Sequence, residues 1–474
     1  MEEKMNEEQS LEDGQREEDD IDYVEDREEL TEERIKDMLD AREYKELKEE
    51  LETNMYPVDL AEILEEFDQK HMVLVFRLLA KEEAAETFSY MDSDTREDLI
   101  NALTDSELEE IMEEMYLDDT VDVLEEMPAN VVDRLLMVTD EEKRQQINQL
   151  LQYPEDSAGS VMNVDYIALR REMTVAESIL KIRQVGLNRE TIYTCYVTEQ
   201  RHLIGQVDVK ELLTSSESKT IEEIMDTNML YARTTDDQED VANTITKYGL
   251  IALPIVDHEN CMVGIVTVDD AMQVLQEETT EDISIMAGVN PNEDSYFGTS
   301  IFEHVKSRIP WLLFLMISAT FSSLVIRGYE DALAAVTVLT AYIPMLTDAG
   351  GNAGSQSTST IIRGMAVGEI QPHDLPRILW RESRVALLCG ATLAVCNFAK
   401  LLLFDKVTAP VALVVCLTLI CTILLSQLIG GLLPVAAEKL HVDPAVMASP
   451  LITTIVDATT LLIYFNVAKI VLHL

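Results

Sequence analysis

Two stretches of this chain lack charge for longer than a soluble helix tolerates. Residues 309–326 run for 18 positions, and residues 407–437 for 31, without Asp, Glu, Lys or Arg. The hydrocarbon core of a bilayer takes about 20 residues of helix. Chain in that environment must satisfy its own backbone groups, so this part of the fold is restricted to helices or a closed barrel. Three more runs are each interrupted once, 332–362 by Asp348, 385–404 by Lys400 and 444–468 by Asp457. The pattern predicts five membrane helices within residues 307–474.

The remainder is opposite in character. The formal net charge is −53, and residues 1–300 hold 78 of the 89 acids but only 25 of the 36 Lys and Arg. An acidic body joined to a membrane body points to cations, carried or sensed. With five spans the domain's two ends fall on opposite sides. Lys306, Arg308, Arg363, Arg377, Arg381, Arg384 and Lys439 then share the side of the acidic half, against Arg327, Lys400, Lys406 and Lys469 on the other. That bias predicts a cytoplasmic amino-terminal half and an extracytoplasmic carboxyl terminus. Residues 1–29 are polar and acid-rich, expected to be a disordered tail rather than a signal peptide. Of the cysteines, Cys389, Cys396, Cys416 and Cys421 fall in apolar spans and Cys195 and Cys261 in the acidic half, with no CxxC pair. Core packing is expected for all six.

Residues 30–156 read as short helices with apolar residues three and four apart. Tyr56, Asp59, Leu64, Glu65 and Glu66 recur sixty residues later as Tyr116, Asp119, Leu124, Glu125 and Glu126, which predicts a superhelix of helix pairs. Residues 157–276 change period. Residues 191–197 and 251–256 read as strands, each followed by a turn, a second strand and a helix, which predicts two similar β-α-β-β-α units. Residues 277–306 form a connection in which Glu277, Glu278, Glu281 and Asp282 crowd four carboxylates into six positions. Such a run is either a solvated helix end or a place where a divalent ion gathers carboxylates and pulls on the membrane domain.

The chemistry converges on Asp457. Thirteen uncharged residues precede it from Pro444 and eleven follow it to Ala468, so it lies near mid-depth. An ionised carboxylate facing lipid there costs roughly 2.5–3.5 kcal/mol, so it must face protein, water or a cation. Thr453 and Thr460 stand about a turn to either side. The partner segment is residues 342–360, where Pro344 and a glycine cluster are expected to break the helix and expose carbonyls beside Asp348, Asn352 and Gln356. Asp443 stands at the lip of the Asp457 helix. No Walker-type or hydrolytic constellation is present, and the chain is not expected to be an enzyme.

Residues 264–270, with Thr267 and Asp270, resemble the adenosine-binding pattern of paired CBS modules. The first unit departs from it, with Asp208 where a hydroxyl should be. ATP at one regulatory site per chain and a purely structural pair both remain open. The whole combination resembles the MgtE family of magnesium channels and transporters, most specifically at Pro344-Met345-Leu346, residues 351–356, Asp443-Pro444-Ala445 and residues 449–457. The resemblance implies a multidomain homodimer: an all-α superhelical cytoplasmic domain, α/β tandem CBS domains and a five-helix transmembrane pore on the two-fold axis. It implies that Asp457, with Thr453 and Asn352, holds Mg²⁺ in the pore and that Asp443 lines its intracellular mouth. It also places Asp270, Glu278, Glu281 and Asp282 on or near regulatory Mg²⁺ ligands, with Gln273 a departure from the expected acidic face. The function implied is Mg²⁺ uptake through a channel closed by cytoplasmic Mg²⁺, the alternative being a divalent-cation transporter coupled to protons or sodium.

Overall fold

The structure is a computed structural model that describes residues 30–291, 296, 299–329 and 336–473. The expected tail at residues 1–29 and the start of the expected second span therefore lie outside the described residues. The chain divides between Leu275 and Gln276 into two compact units.

The first unit opens with short helices that stack on their next-but-one neighbours. Pro57–Glu65 packs on Lys81–Tyr90, which packs on Asp105–Glu114, which meets Ala129–Val138. Gln69–Phe76 with Ser93–Ala102, and Leu117–Glu126 with Glu141–Leu150, form the other layer. Each helix is too short to persist alone. Polar caps and a shared apolar face hold them. Asp92 accepts from the Thr95 amide at 2.6 Å, Thr104 and Glu107 form a reciprocal capping box, and Leu64, Leu99, Leu108 and Leu135 are fully buried. Arg96 crosses between helices, donating to Met91 O at 2.6 Å and to Glu126 at 2.8 Å.

Two three-stranded sheets follow. In the first, β1 (Ala168–Leu169) pairs parallel with β2 (Thr194–Glu199), which pairs antiparallel with β3 (His202–Asp208). The second repeats this order with β4 (Ala232–Arg233), β5 (Ala252–Val256) and β6 (Met262–Thr267). The repeats are stitched together, for Asn163 bridges to Ile265 and His202 to Cys261. One apolar core runs from the helical domain into the second repeat through Val241, Ile245 and Val266, whereas the first repeat closes on its own Ile167, Leu169 and Val197.

In the second unit, helix Ile343–Ala366 packs between Ala409–Lys439 and Ser449–Leu472, while Leu375–Leu403 packs on Ala409–Lys439. Ile301–Gly328 leans on Ser449–Leu472 and buries no residue. Among the described residues, four helices are long and apolar enough to cross a membrane, where five were expected. The remaining one, Ile343–Ala366, has the length but carries Asp348, Asn352, Gln356 and a run of hydroxyls. Two expectations are corrected. Residues 343–366 form one continuous α-helix, because Pro344 occupies the first turn, where the missing amide has no partner to lose. Cys389 and Cys396 are exposed on the Leu375–Leu403 helix, not packed, while Cys195, Cys261 and Cys416 are buried.

Candidate functional site

The Asp457 helix, Ser449–Leu472, is held against Ile343–Ala366 by glycines. A Cβ at Gly350 would sit 2.6 Å from Thr422 Cγ2 and 2.8 Å from Val456 Cγ1; at Gly351, 3.0 Å from Thr453 Cγ2; at Gly354, 2.7 Å from Ile452 Cγ2. The glycines therefore do not break the helix; they let a neighbouring helix approach to backbone distance. Asp457 is half-buried beside this seam. Along the opposite helix Asp348, Asn352 and Gln356, spaced by four, form an exposed polar stripe. Asp348 is the charged group that Asp457 senses. Thr453 lies against Gly351, and its hydroxyl donates back to Pro450 O at 3.0 Å. Thr460 is buried against Gly350, and neither its Oγ1 nor that of Thr422 has a hydrogen-bond partner among the described residues.

A second group stands at the start of the same helix. Asp443 caps the short turn Pro444–Met447, accepting from the Ala445 amide at 2.7 Å. Asp282, on helix Val268–Met286, is pushed up to about 6 by burial first and then by the Asp443 and Glu278 carboxylates. Glu278 and Asp282 are half-buried, one turn apart, and Glu281 is exposed. Just beyond, Gly288 (φ 71) lies so close to Pro450 that a Cβ would meet its Cγ at 2.9 Å. Glycine is required there twice over, for the left-handed backbone and for the contact. The acid helix thus abuts the first turn of the Asp457 helix.

The first unit gathers a third group, which the sequence reading missed in part. Asp270 is joined by Asp118, Asp119, Glu190 and Asp269. Burial, then Asp270, raises Asp119 to about 6 and Glu190 to about 7, and the same two causes raise Asp118 well above the carboxylate range. Asn163, fully buried, donates to Asp118 Oδ2 at 2.9 Å and to Glu190 Oε2 at 3.0 Å. Asp118 Oδ1 is buried without a hydrogen-bond partner among the described residues. The signal for Asp118 was in the repeat, since it stands where Val58 stands in the earlier copy. Among the described residues, no three His, Cys, Asp or Glu side chains converge closely enough to hold a metal ion. The groups are crowded acids, not closed coordination shells.

Thr267 and Asp270 engage each other, for the Thr267 hydroxyl donates to Asp270 Oδ2 at 2.6 Å and its amide to the same oxygen at 3.2 Å. In the first repeat Asp208 accepts from the Thr194 hydroxyl at 3.1 Å. The asymmetry between the two repeats, read from sequence, is present as two different hydrogen-bond arrangements.

Known proteins share this combination of parts. The pattern of the MgtE divalent cation transporter family matches residues 343–467, that of the MgtE intracellular N domain residues 55–156 and that of the CBS domain residues 221–277. The magnesium transporter MgtE of Thermus thermophilus is 35% identical over 92% of this chain and 96% of its own length. That of Bacillus subtilis is 30% identical over 88% and 92% respectively. A solved structure of the cytosolic domain of the Mg²⁺ channel MgtE in complex with ATP is 35% identical, covering 51% of this chain and 98% of that one, with a TM-score of 0.49. The separate acid groups, the CBS pair and the glycine-packed Asp457 helix are parts of one transport protein, and the chain belongs to the MgtE family of divalent cation transporters.

Proposed function

We propose that the chain is a magnesium-selective channel for electrochemically driven Mg²⁺ uptake, working as a homodimer in the cell membrane and closed by cytoplasmic Mg²⁺. The observation that carries this reading is the half-buried Asp457 carboxylate beside the exposed stripe of Asp348, Asn352 and Gln356. Magnesium sheds water reluctantly and prefers octahedral oxygen, so Asp457, Asn352 and the backbone near Thr453 would grip it through its hydration shell. A two-fold axis would double each ligand by adding the partner subunit's copy. A potential of 100 mV, negative inside, contributes roughly 4.6 kcal/mol to entry of a divalent ion, so no hydrolysis is needed.

Closure would use the two acid groups outside the pore. Without divalent ions their carboxylates repel, and Mg²⁺ among Glu278, Glu281, Asp282 and Asp443, or among Asp118, Asp119, Glu190 and Asp270, would draw them together. The contact of Gly288 with Pro450 would transmit that movement to the Asp457 helix. ATP at Thr267 and Asp270 would then act as a regulatory ligand by shifting Mg²⁺ affinity.

Mg²⁺ flux into liposomes at a set potential tests the pore. Asp457→Ala should abolish selective flux and Asp457→Asn should lose most of it; an Ala variant conducting at the normal rate and selectivity would refute the assignment. Neutralising Asp270, Glu278, Glu281 and Asp282 together should leave flux active at high internal Mg²⁺. If that variant shuts off at the unaltered concentration, the gating reading is wrong.

A further inference from the structure

The most acidic part of the chain contains a cationic cavity. At the junction of helix Glu141–Leu150 with the CBS pair lies a cleft of about 430 Å³ whose basic lining is Lys181, Arg189 and Arg201. That volume lies within the range of about 300–1,000 Å³ typical of small-molecule pockets. The rest of the wall is mixed: Gln146 and Gln149 stand with Tyr166 and several apolar residues, of which Met162 and Met262 are themselves buried.

Lys181 and Arg189 are held in place through their side chains, and Arg201 through its backbone. Lys181 is half-buried and donates to Ala168 O at 2.5 Å, so its ammonium is fixed to the backbone at β1. Arg189 is paired with Asp165, which also lines the cavity. Arg201 forms the second residue of the tight Gln200–Arg201 turn, with φ of 50 and 72. Glycine or asparagine suits such a turn better, yet an arginine stands there. The turn is tied across to the second repeat, for the Met262 amide donates to Arg201 O at 2.8 Å. Arg201 is exposed and makes no ion pair with another described residue.

The cavity therefore carries more positive charge than its single lining carboxylate neutralises. Burial first, and then Arg170 and Arg189, push the Lys181 ammonium below its ordinary value. The contrast with the Thr267–Asp270 cleft is sharp in chemical terms. Asp269, Asp119 and Glu190 surround Asp270 and would repel a phosphate that arrived without a metal.

We propose that this cavity is a separate regulatory site for a small phosphomonoester with a flat ring body. The phosphate would sit among Arg201, Lys181 and Arg189, which offer charge-assisted and forked hydrogen bonds. The ring would lie against Tyr166, which the buried Met162 and Met262 back from within the wall. Because the walls come from the helical domain and both CBS repeats, an occupant would bridge all three. The proposal does not depend on the transport reading.

The test is calorimetry on the full-length protein in detergent, titrated with AMP or with inorganic pyrophosphate in buffer containing EDTA. Removing divalent ions silences any phosphate held by metal at the acid groups. AMP should bind, Arg201→Gln should weaken it about tenfold, and Arg201→Lys should keep most of the affinity. Arg201 is exposed at a turn, so an unchanged melting curve for Arg201→Gln would separate lost binding from lost fold. Absence of AMP binding, affinity unmoved by Arg201→Gln, or affinity lost only in Thr267→Val would overturn the site. Pyrophosphate binding as tightly as AMP would overturn the ring subsite.

Discussion

Replacing Gly430 with alanine tests whether backbone-distance packing sets the membrane unit. Gly430 lies inside helix Ala409–Lys439, and a Cβ there would sit 2.5 Å from Gly354 O and 3.0 Å from Ser357 Cβ and Thr358 Oγ1. An ordinary carbon–oxygen approach is about 3.3 Å, so the two helices must part by roughly 0.8 Å. The obstacle is a carbonyl, which cannot rotate away as a side chain can. Parting the helices also stretches the bonds from Ser357 Oγ to Gln427 O and from Thr358 Oγ1 to Gly430 O, both 3.1 Å. Overpacking of this kind costs about 1–3 kcal/mol and each weakened bond up to about 1 kcal/mol. Alanine gains back about 1 kcal/mol of helix propensity.

Gly431 is the control, since its added Cβ would meet side-chain atoms alone: Ile378 Cγ2 at 3.3 Å, Glu382 Cγ at 3.4 Å and Ser357 Oγ at 3.8 Å. Both substitutions gain the same propensity, so the difference between them isolates the clash. It should be about 2–3 kcal/mol, or roughly 5–10 °C in thermal unfolding for a unit of this size. Since the displaced helix bears Asp348 and Asn352, Mg²⁺ flux in liposomes should fall about 10- to 100-fold in Gly430→Ala and stay near normal in Gly431→Ala. Equal melting temperatures and equal flux for the two variants would refute the argument.

Other outcomes follow from the acid groups. Asp119 and Glu190 are raised to about 6 and about 7, so the folded form holds protons that the unfolded chain releases near pH 4. Stability without divalent ions should therefore fall as pH rises from about 4 through 7, and Mg²⁺ should flatten that slope; a melting temperature that climbs over this interval in EDTA would contradict it. Asn163→Ala removes donors to Asp118 and Glu190 and should cost about 1–3 kcal/mol. The loss should be larger at pH 8 than at pH 5, measured by denaturant unfolding. Asp282→Asn relieves repulsion from Asp443 and Glu278, so it should raise the melting temperature in EDTA and reduce the further rise on adding Mg²⁺. No change in either quantity would count against a shared ion there.

What could be read in advance depended on the range of the interaction. Uninterrupted apolar length identified the membrane half, because burial of backbone in lipid is decided by consecutive residues. The recurrence of residues 56–67 at 116–127 and the paired strand patterns located the helix stack and the CBS pair, since each repeat is a local unit. Asp457 was legible because a lone charge in an apolar run needs a reason. Pro344 and the glycines were read as a break because their local propensities oppose helix; in the fold Pro344 occupies a first turn, and Gly350, Gly351 and Gly354 meet neighbours no local rule can see.

The sequence alone determined which segments are apolar enough to cross a membrane, which repeat, and where a charge stands alone in an apolar run. Tertiary structure decided which acids keep company. Asp270 joins Asp118, Asp119 and Glu190, and Asp282 meets Asp443 from the far end of the chain. It likewise assembled Lys181, Arg189 and Arg201 around one cavity from an acid-dominated half. Coulomb interactions act through space over several ångströms and are indifferent to sequence separation. Only the folded positions of these side chains could reveal them.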